Sequence, residues 1–224
     1  MRTRAWFASS IGKKTLMAVS GLALFGFVLA HLAGNLLIFL GPGALNGYAK
    51  KMEGVGPWLW VARGGLLAAV TVHVWTSVQL SRENCRARPH PYARFNTAKT
   101  TLAARTMLLS GVLLLAFVAY HLLHFTFRVI HPEVSRGIDA LGRRDVYTMV
   151  VRSFQQLPIS LAYLVGVGAV CVHLSHGVAS ACQTLGLTDD RTLAAVSQAG
   201  VWAAVLIFLG YSSIPLAVFA GLIR

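Results

Sequence analysis

The sequence predicts an all-α integral membrane protein, a bundle of five transmembrane helices, and three observations predict it. Of 224 residues, 56% are hydrophobic and only 12% are charged, against about 25% charged in ordinary soluble domains. The mean hydropathy is +0.64. The apolar residues gather in five long blocks instead of alternating, and most histidines fall inside those blocks. Helices that are apolar on every side belong in hydrocarbon.

The blocks cover approximately 15–40, 58–80, 106–130, 157–182 and 198–222. Each meets the roughly 20 residues that a helix needs to cross a bilayer core of about 30 Å. In hydrocarbon the backbone must satisfy its own polar groups, so each span is predicted helical. The first block is too long for a signal peptide and lacks a small-residue cleavage site, so it is expected in the mature protein. No loop exceeds about 25 residues, which leaves no room for a separate soluble domain. Residues 1–224 therefore read as one transmembrane domain.

The net charge is +13, from 20 Lys and Arg against 7 Asp and Glu. Two basic clusters stand out: Arg2, Arg4, Lys13 and Lys14, then Arg82, Arg86, Arg88, Arg94, Lys99 and Arg105. The positive-inside rule puts both in the cytoplasm, with the N-terminus inside and the C-terminus outside. The outer loops carry Lys50, Lys51, Arg136, Arg143 and Arg144, so orientation rests on the first helix and the 81–105 loop. The same basic face suits a docked partner or anionic membrane lipid. Nucleic acid is not an expected partner of so apolar a chain. Cys85, Cys171 and Cys182 form neither C-x-x-C nor C-x-x-C-H, so neither a disulfide framework nor covalent haem attachment is supported.

Eight histidines occur, at 31, 73, 90, 121, 124, 131, 173 and 176, and six of them lie in spans on four different helices. Intramembrane ionisable side chains are rare and usually functional. One alone reads as a helix–helix hydrogen bond; four helices each offering one changes that balance. Residues 20–31, SGLALFGFVLAH, and 110–121, SGVLLLAFVAYH, each run from Ser-Gly to a His. Residues 69–73, AVTVH, match 169–173, AVCVH. Helices one and two thus look like a hairpin repeated as helices three and four.

Helices alternate in direction, so depth can be counted from each cytoplasmic end at about 1.5 Å per residue. His31 and His121 then share an outer level, and His73 and His173 share an inner one, roughly 10–16 Å apart. Two histidines at one depth on different helices can clamp a planar ring from both faces, as in bis-imidazole haem ligation. Small residues should line the approach, and Gly21, Gly26, Gly111, Gly166 and Gly168 suit that role. Zinc needs three or four converging ligands, which two separated pairs do not offer. A proton relay would more naturally include acids inside the spans, and none of the seven lies well inside one.

The segments SSIGKKTLMAVSGL, HLAGNL, LNGYAKKMEGVGPWLWVARGGLLAAVTVH, LAARTMLLSGVLLLAFVAYHLLHF and CVHLSHGVASACQTLGL resemble the five-helix, dihaem cytochrome b subunit of succinate dehydrogenases and fumarate reductases. The resemblance covers nearly the whole chain and all four ligand helices in order. It implies a five-helix bundle holding two b haems in a bacterial-type cytoplasmic membrane. It implies a flavoprotein and an iron–sulfur subunit on the cytoplasmic face, with FAD and Fe–S clusters confined to those partners. The substrate exchanged would be a quinone, typically menaquinone; pairing of complexes into dimers stays open.

By the same resemblance, His73 and His173 ligate the inner, proximal haem and His31 and His121 the outer, distal haem. His124 and His176 follow the helix-three and helix-four ligands by three residues; they could meet a propionate, a quinone or a neighbouring helix. Glu53 stands near the place where the fumarate-reductase branch has a glutamate implicated in menaquinol oxidation, so it is a candidate for quinone proton exchange. That branch also has a glutamate two residues before the helix-four ligand, where this chain has Cys171. The departure tilts the expected direction towards succinate oxidation.

Arg63 and Arg105 lie near span ends, placed either to meet haem propionates or to snorkel to the interface. Trp58, Trp60 and Trp75 read as an aromatic belt. Two alternatives stay open: the haem subunit of another membrane oxidoreductase, of hydrogenase or formate dehydrogenase type, and a haem-free transporter with histidine relays.

Overall fold

The computed structural model describes residues 9–87 and 101–224. Arg2, Arg4, Arg88, His90, Arg94 and Lys99 lie outside the described residues. Five helices are long and apolar enough to cross a membrane, and the chain is read as a multi-pass membrane protein. No β-strand occurs among the described residues.

Helix α1 spans Ser10–Asn35 and continues as a 3-10 turn, Leu36–Leu40. Its N-cap Ser9 accepts from the Gly12 N–H at 3.0 Å. The turn stops at Gly41, whose φ of 90° is open to glycine and strained for other residues. Pro42 then starts α2, Pro42–Gly54, at the position where a missing N–H costs nothing. Gly56 and Pro57 repeat the device ahead of α3, Pro57–Arg86. A short α4, Leu102–Arg105, leads into α5, Met107–His121, which ends in a π-helical turn, Leu122–Thr126. Next come α6, Pro132–Ser135, and α7, Val146–Phe154. Two more long helices close the chain, α8 (Leu157–Thr184) and α9 (Leu193–Phe219).

All five expected spans are present, with shifted ends. The third stops at Thr126 instead of near 130, because the Phe127 N–H turns back to the Leu122 carbonyl at 2.7 Å. Left-handed backbone at Arg128 and His131 then redirects the chain. The fifth starts at Leu193, ahead of the expected 198. Residues 42–54 and 146–154, expected as loop, are helices. Neither is long enough to register as a span, and α2 is also polar, with Asn46, Lys50, Lys51 and Glu53. Helix α7 buries Met149, Val150, Val151 and Phe154 on one side, the pattern of a surface helix lying on a core.

Helix α8 packs against α9, α1 and α5, while α3 packs on α1. The bundle has two ends. One, the basic end, carries the start of α1 and the ends of α3 and α8; there Lys13 and Glu83 form an ion pair between α1 and α3. At the other, α2 and α7 fold over the helices and build the main buried cluster with α8 and α9, including Ile38, Leu45, Val151, Phe154, Tyr163 and Ile214. Leu67, Leu109, Leu113 and Leu206 are exposed, as lipid-facing side chains are.

A polar clasp closes this second end. Asn46, 1% exposed, donates to Asp139 Oδ2 at 3.2 Å and to Asp145 Oδ1 at 3.1 Å. Its own oxygen accepts from the Tyr147 N–H at 2.9 Å. Arg143 donates to Asp139 from Nε and from its terminal nitrogen, both at 2.8 Å. Desolvation pushes the Asp139 carboxyl up, but hydrogen bonds from Arg143, Asn46 and Leu141 outweigh it and hold it below the ordinary carboxylate value. Asp145 is lowered in the same way against desolvation, by Thr148 and Asn46.

Two consequences follow for stability. Replacing Asn46 by Ala leaves a buried N–H and two carboxylates short of partners, at a cost of about 2 kcal/mol. The thermal midpoint of the detergent-solubilised protein should fall, with new proteolysis within 137–145. Because both folded carboxyl values are depressed, the clasp's stabilisation is complete above the unfolded value near ~3.9. It is lost as pH falls through the lower folded values. Protease protection of 137–145 followed from pH 7 to pH 2 should therefore hold at neutrality and fail only in strong acid.

Candidate functional site

The site is built from two brackets of identical plan. Residues 17–31 read MAVSGLALFGFVLAH and residues 107–121 read MLLSGVLLLAFVAYH, one on α1 and one on α5. His73 on α3 turns its Nδ1 to the Met17 carbonyl at 3.0 Å and to Ser20 Oγ at 3.4 Å. His173 on α8 turns its Nδ1 to Ser110 Oγ at 3.1 Å, with the Met107 carbonyl beside it. The serine hydroxyls donate within their own helices, Ser20 to the Leu16 carbonyl at 2.7 Å and Ser110 to the Met107 carbonyl at 3.1 Å. Each serine oxygen is thereby left as acceptor, each imidazole carries its proton on Nδ1, and each Nε2 keeps a bare lone pair.

The two rings held in this way face each other, His73 to His173, with centroids 6.2 Å apart and planes at 68°. Ten residues further along α1 and α5, His31 faces His121 with centroids 5.8 Å apart and planes at 81°. Ten residues of helix are about 15 Å, so the imidazoles occupy two levels, paired as the depth count expects. Phe27 stacks on His31 at 5.3 Å, and Tyr211 lies 6.2 Å from it. Tyr211 also donates to the Val28 carbonyl at 2.8 Å, joining α9 to α1. The Tyr163 hydroxyl lies 3.4 Å from His121 Nδ1.

This geometry fits a metal held between two axial nitrogens. With metal–imidazole bonds of roughly 2 Å and half a ring on each side, ligand centroids stand about 6 Å apart. Axial ligands share an axis and not a plane, so the twist between rings is no obstacle. The space around each pair is also suitable. Neither α1 and α5 nor α3 and α8 form a closely packed helix pair among the described residues. Among the described residues no three His, Cys, Asp or Glu gather as a metal-binding group.

The glycines expected to line a haem divide into three groups. A Cβ on Gly21 would stand 3.0 Å from His73 Cε1, and one on Gly111 would stand 3.6 Å from His173 Cε1, so these two admit the imidazoles themselves. Gly26 faces open space. Gly166 instead receives the Phe117 ring, which a Cβ would overlap, and Gly168 faces Phe208 of α9. These last two serve helix packing, and the sequence alone does not distinguish them from the others.

His124 is fully buried and engaged at both nitrogens, by Tyr163 at 3.0 Å and Ser153 at 3.1 Å. That separates it from His121, which depth alone does not. His176 is partly buried one turn beyond His173. Glu53 is exposed in the last turn of α2, 3.3 Å from Arg144. The antiparallel register that sets Ser20 beside His73 brings Arg63 to the level of His31. Its guanidinium nevertheless turns outward over Trp60, 4.9 Å from the ring centroid. Arg105 is exposed at the end of α4. Tyr163, Ser153 and the shared Met-x-x-Ser-Gly were missed by sequence reasoning. The last was detectable, because it lies three residues upstream of the doubled segment.

The glycine contacts predict unequal costs. Gly111→Ala adds an ordinary contact and should leave the thermal midpoint in detergent nearly unchanged. Gly166→Ala forces the Phe117 ring out of its seat between α5 and α8, an overpacking cost of about 1–3 kcal/mol. The same melt should show a clear fall.

No family model matches the chain, and neither a curated protein nor a solved structure does.

Proposed function

We propose that the chain is a dihaem cytochrome b, the membrane anchor and electron-transfer subunit of a succinate dehydrogenase or fumarate reductase complex. It would pass electrons between an iron–sulfur subunit and a menaquinone-type quinone. The observation that carries this reading is the pair of facing imidazole pairs, 5.8 and 6.2 Å apart, on four helices at two levels. Bound at each level, a b haem supplies a one-electron iron couple.

The chain's own residues do the rest. His31 with His121, and His73 with His173, would hold the two irons through imidazole nitrogens. Ser20, the Met17 carbonyl and Ser110 orient the His73 and His173 rings, as hydrogen-bond partners of metal-bound imidazoles do. Apolar rings of Phe27 and Phe117 lie against the His31–His121 level. Arg63 and Arg105 would be the propionate partners. Glu53, which stands beside Arg144, is the acid assigned to quinone proton exchange.

In this reading the basic end faces the cytoplasm, following the positive-inside rule. It docks the iron–sulfur and flavoprotein subunits, which hold the FAD and the clusters and perform the dicarboxylate chemistry. Cys171 in place of an acid on α8 favours the direction of succinate oxidation.

The test is purification of the complex in detergent, with an absorption spectrum and a pyridine haemochrome assay. A low-spin b spectrum with two haems per chain, copurifying with a flavoprotein and an iron–sulfur protein, is the expected result. A chain without haem ends the proposal; a hydrogenase or formate dehydrogenase partner would overturn its choice of complex. His173→Ala should reduce the content from two haems to one, and His121→Ala should remove the other. Loss of both haems from a complex that still assembles would contradict the pairing.

A further inference from the structure

A directional hydrogen-bond chain runs from α7 to His121. It starts at the Met149 carbonyl, which accepts from the Ser153 hydroxyl at 2.7 Å. That hydroxyl has one proton and has used it, so Ser153 Oγ accepts from His124 Nε2–H at 3.1 Å. A neutral imidazole carries one N–H, so His124 Nδ1 is a bare acceptor and takes the Tyr163 hydroxyl proton at 3.0 Å. The Tyr163 oxygen, having donated, accepts from His121 Nδ1–H at 3.4 Å. Every link fixes the next, and the last leaves His121 Nε2 unprotonated.

We propose that Tyr163 and His124 are positioning residues that lock His121 in its Nδ1–H tautomer and aim Nε2 along the axis shared with His31. The proposal deepens the dihaem reading and rests on it. Burial makes the lock firm. His124 and Ser153 are 0% exposed and Tyr163 is 6% exposed, so water does not compete for their hydrogen bonds. Phe125 stacks on His124 at 4.1 Å, and Phe154 meets the Tyr163 ring edge-on at 5.0 Å. Neither ring is free to turn. The π-helical turn after His121 holds His124 against α7 and α8. Such turns are rare and gather at functional sites.

The chemistry of the lock is also distinctive. A carboxylate in Tyr163's place would bring a charge into hydrocarbon at high cost. A phenol oxygen accepts the Nδ1 proton without it. Accepting that proton raises the basicity of Nε2, which favours the ferric state of a bound iron and lowers its potential. The second level thus has a device independent of the serine brackets that orient His73 and His173.

The experiment uses the complete complex in detergent and compares wild type with Tyr163→Phe, which keeps the ring and removes the hydroxyl. Tyr120→Phe, a neighbour in the same aromatic cluster, is the packing control. Haem content, the low-spin EPR signals and the midpoint potentials are read, and His121→Ala identifies which signal belongs to the His31–His121 level. In Tyr163→Phe two haems should remain, with that one signal shifted and its potential raised. The other haem, and both haems of Tyr120→Phe, should be unchanged. If both signals in Tyr163→Phe match wild type, or both shift together, the lock is refuted. Should Tyr163→Phe fail to assemble, Ser153→Ala removes an earlier link and must shift the same signal, in the same direction and to a lesser degree. No shift there also refutes the lock. Absence of haem from wild type would instead refute the dihaem reading itself.

Discussion

A nitrogen placed in hydrocarbon must find its hydrogen bond inside the protein. That constraint shapes this molecule more than any other. The backbone answers it by becoming five helices. Three of the facing imidazoles, those of His73, His173 and His121, answer it with a partner on a neighbouring helix. Met17, Ser20 and Ser110 meet two of the rings, and Tyr163 meets a third. In all three cases the partner takes Nδ1. The geometry that satisfies the nitrogens therefore also selects one tautomer and exposes the same atom, Nε2, on every locked ring.

Helix arrangement follows from the same requirement. Partners for His73 and His173 lie on α1 and α5, so α3 packs on α1 and α5 packs on α8. The helices that carry facing histidines are then held apart by the helices that orient them. Gly21 is where this becomes tight: a Cβ there would stand 3.0 Å from the His73 ring. A small residue is required at that point by the approach of an imidazole and not by backbone conformation.

Much of this was legible in residue pattern. Five apolar blocks predicted five spans, since length and composition suffice where the solvent is hydrocarbon. The depth count paired His31 with His121 and His73 with His173, because the rise per residue is fixed and the directions alternate. What was not legible depended on contacts between residues distant in sequence. Nothing local marks Tyr163 as the partner of two histidines on another helix, or Gly166 as the seat of Phe117 instead of part of a lining. Helix α7 escaped notice because nine residues fall below the length of a span. Its amphipathic face makes sense only once there is a core for it to cover.

The doubled segment also gains a different meaning from the one its repetition first suggests. Read by depth alone, SGLALFGFVLAH and SGVLLLAFVAYH are two jaws, each lifting one histidine to the same level. Contacts give each copy a second task. Its Ser-Gly, with the methionine three residues earlier, receives a histidine of the other level. One fifteen-residue stretch thus serves both levels at once, and ten residues of helix set their separation at about 15 Å. That spacing cannot drift, because inserting one residue between glycine and histidine would rotate the imidazole by about 100° around the helix. It would leave the pair at the near level intact and disconnect the pair at the far one. Repetition here preserves a distance and an angle together, which is what a chain needs if two centres are to communicate across it.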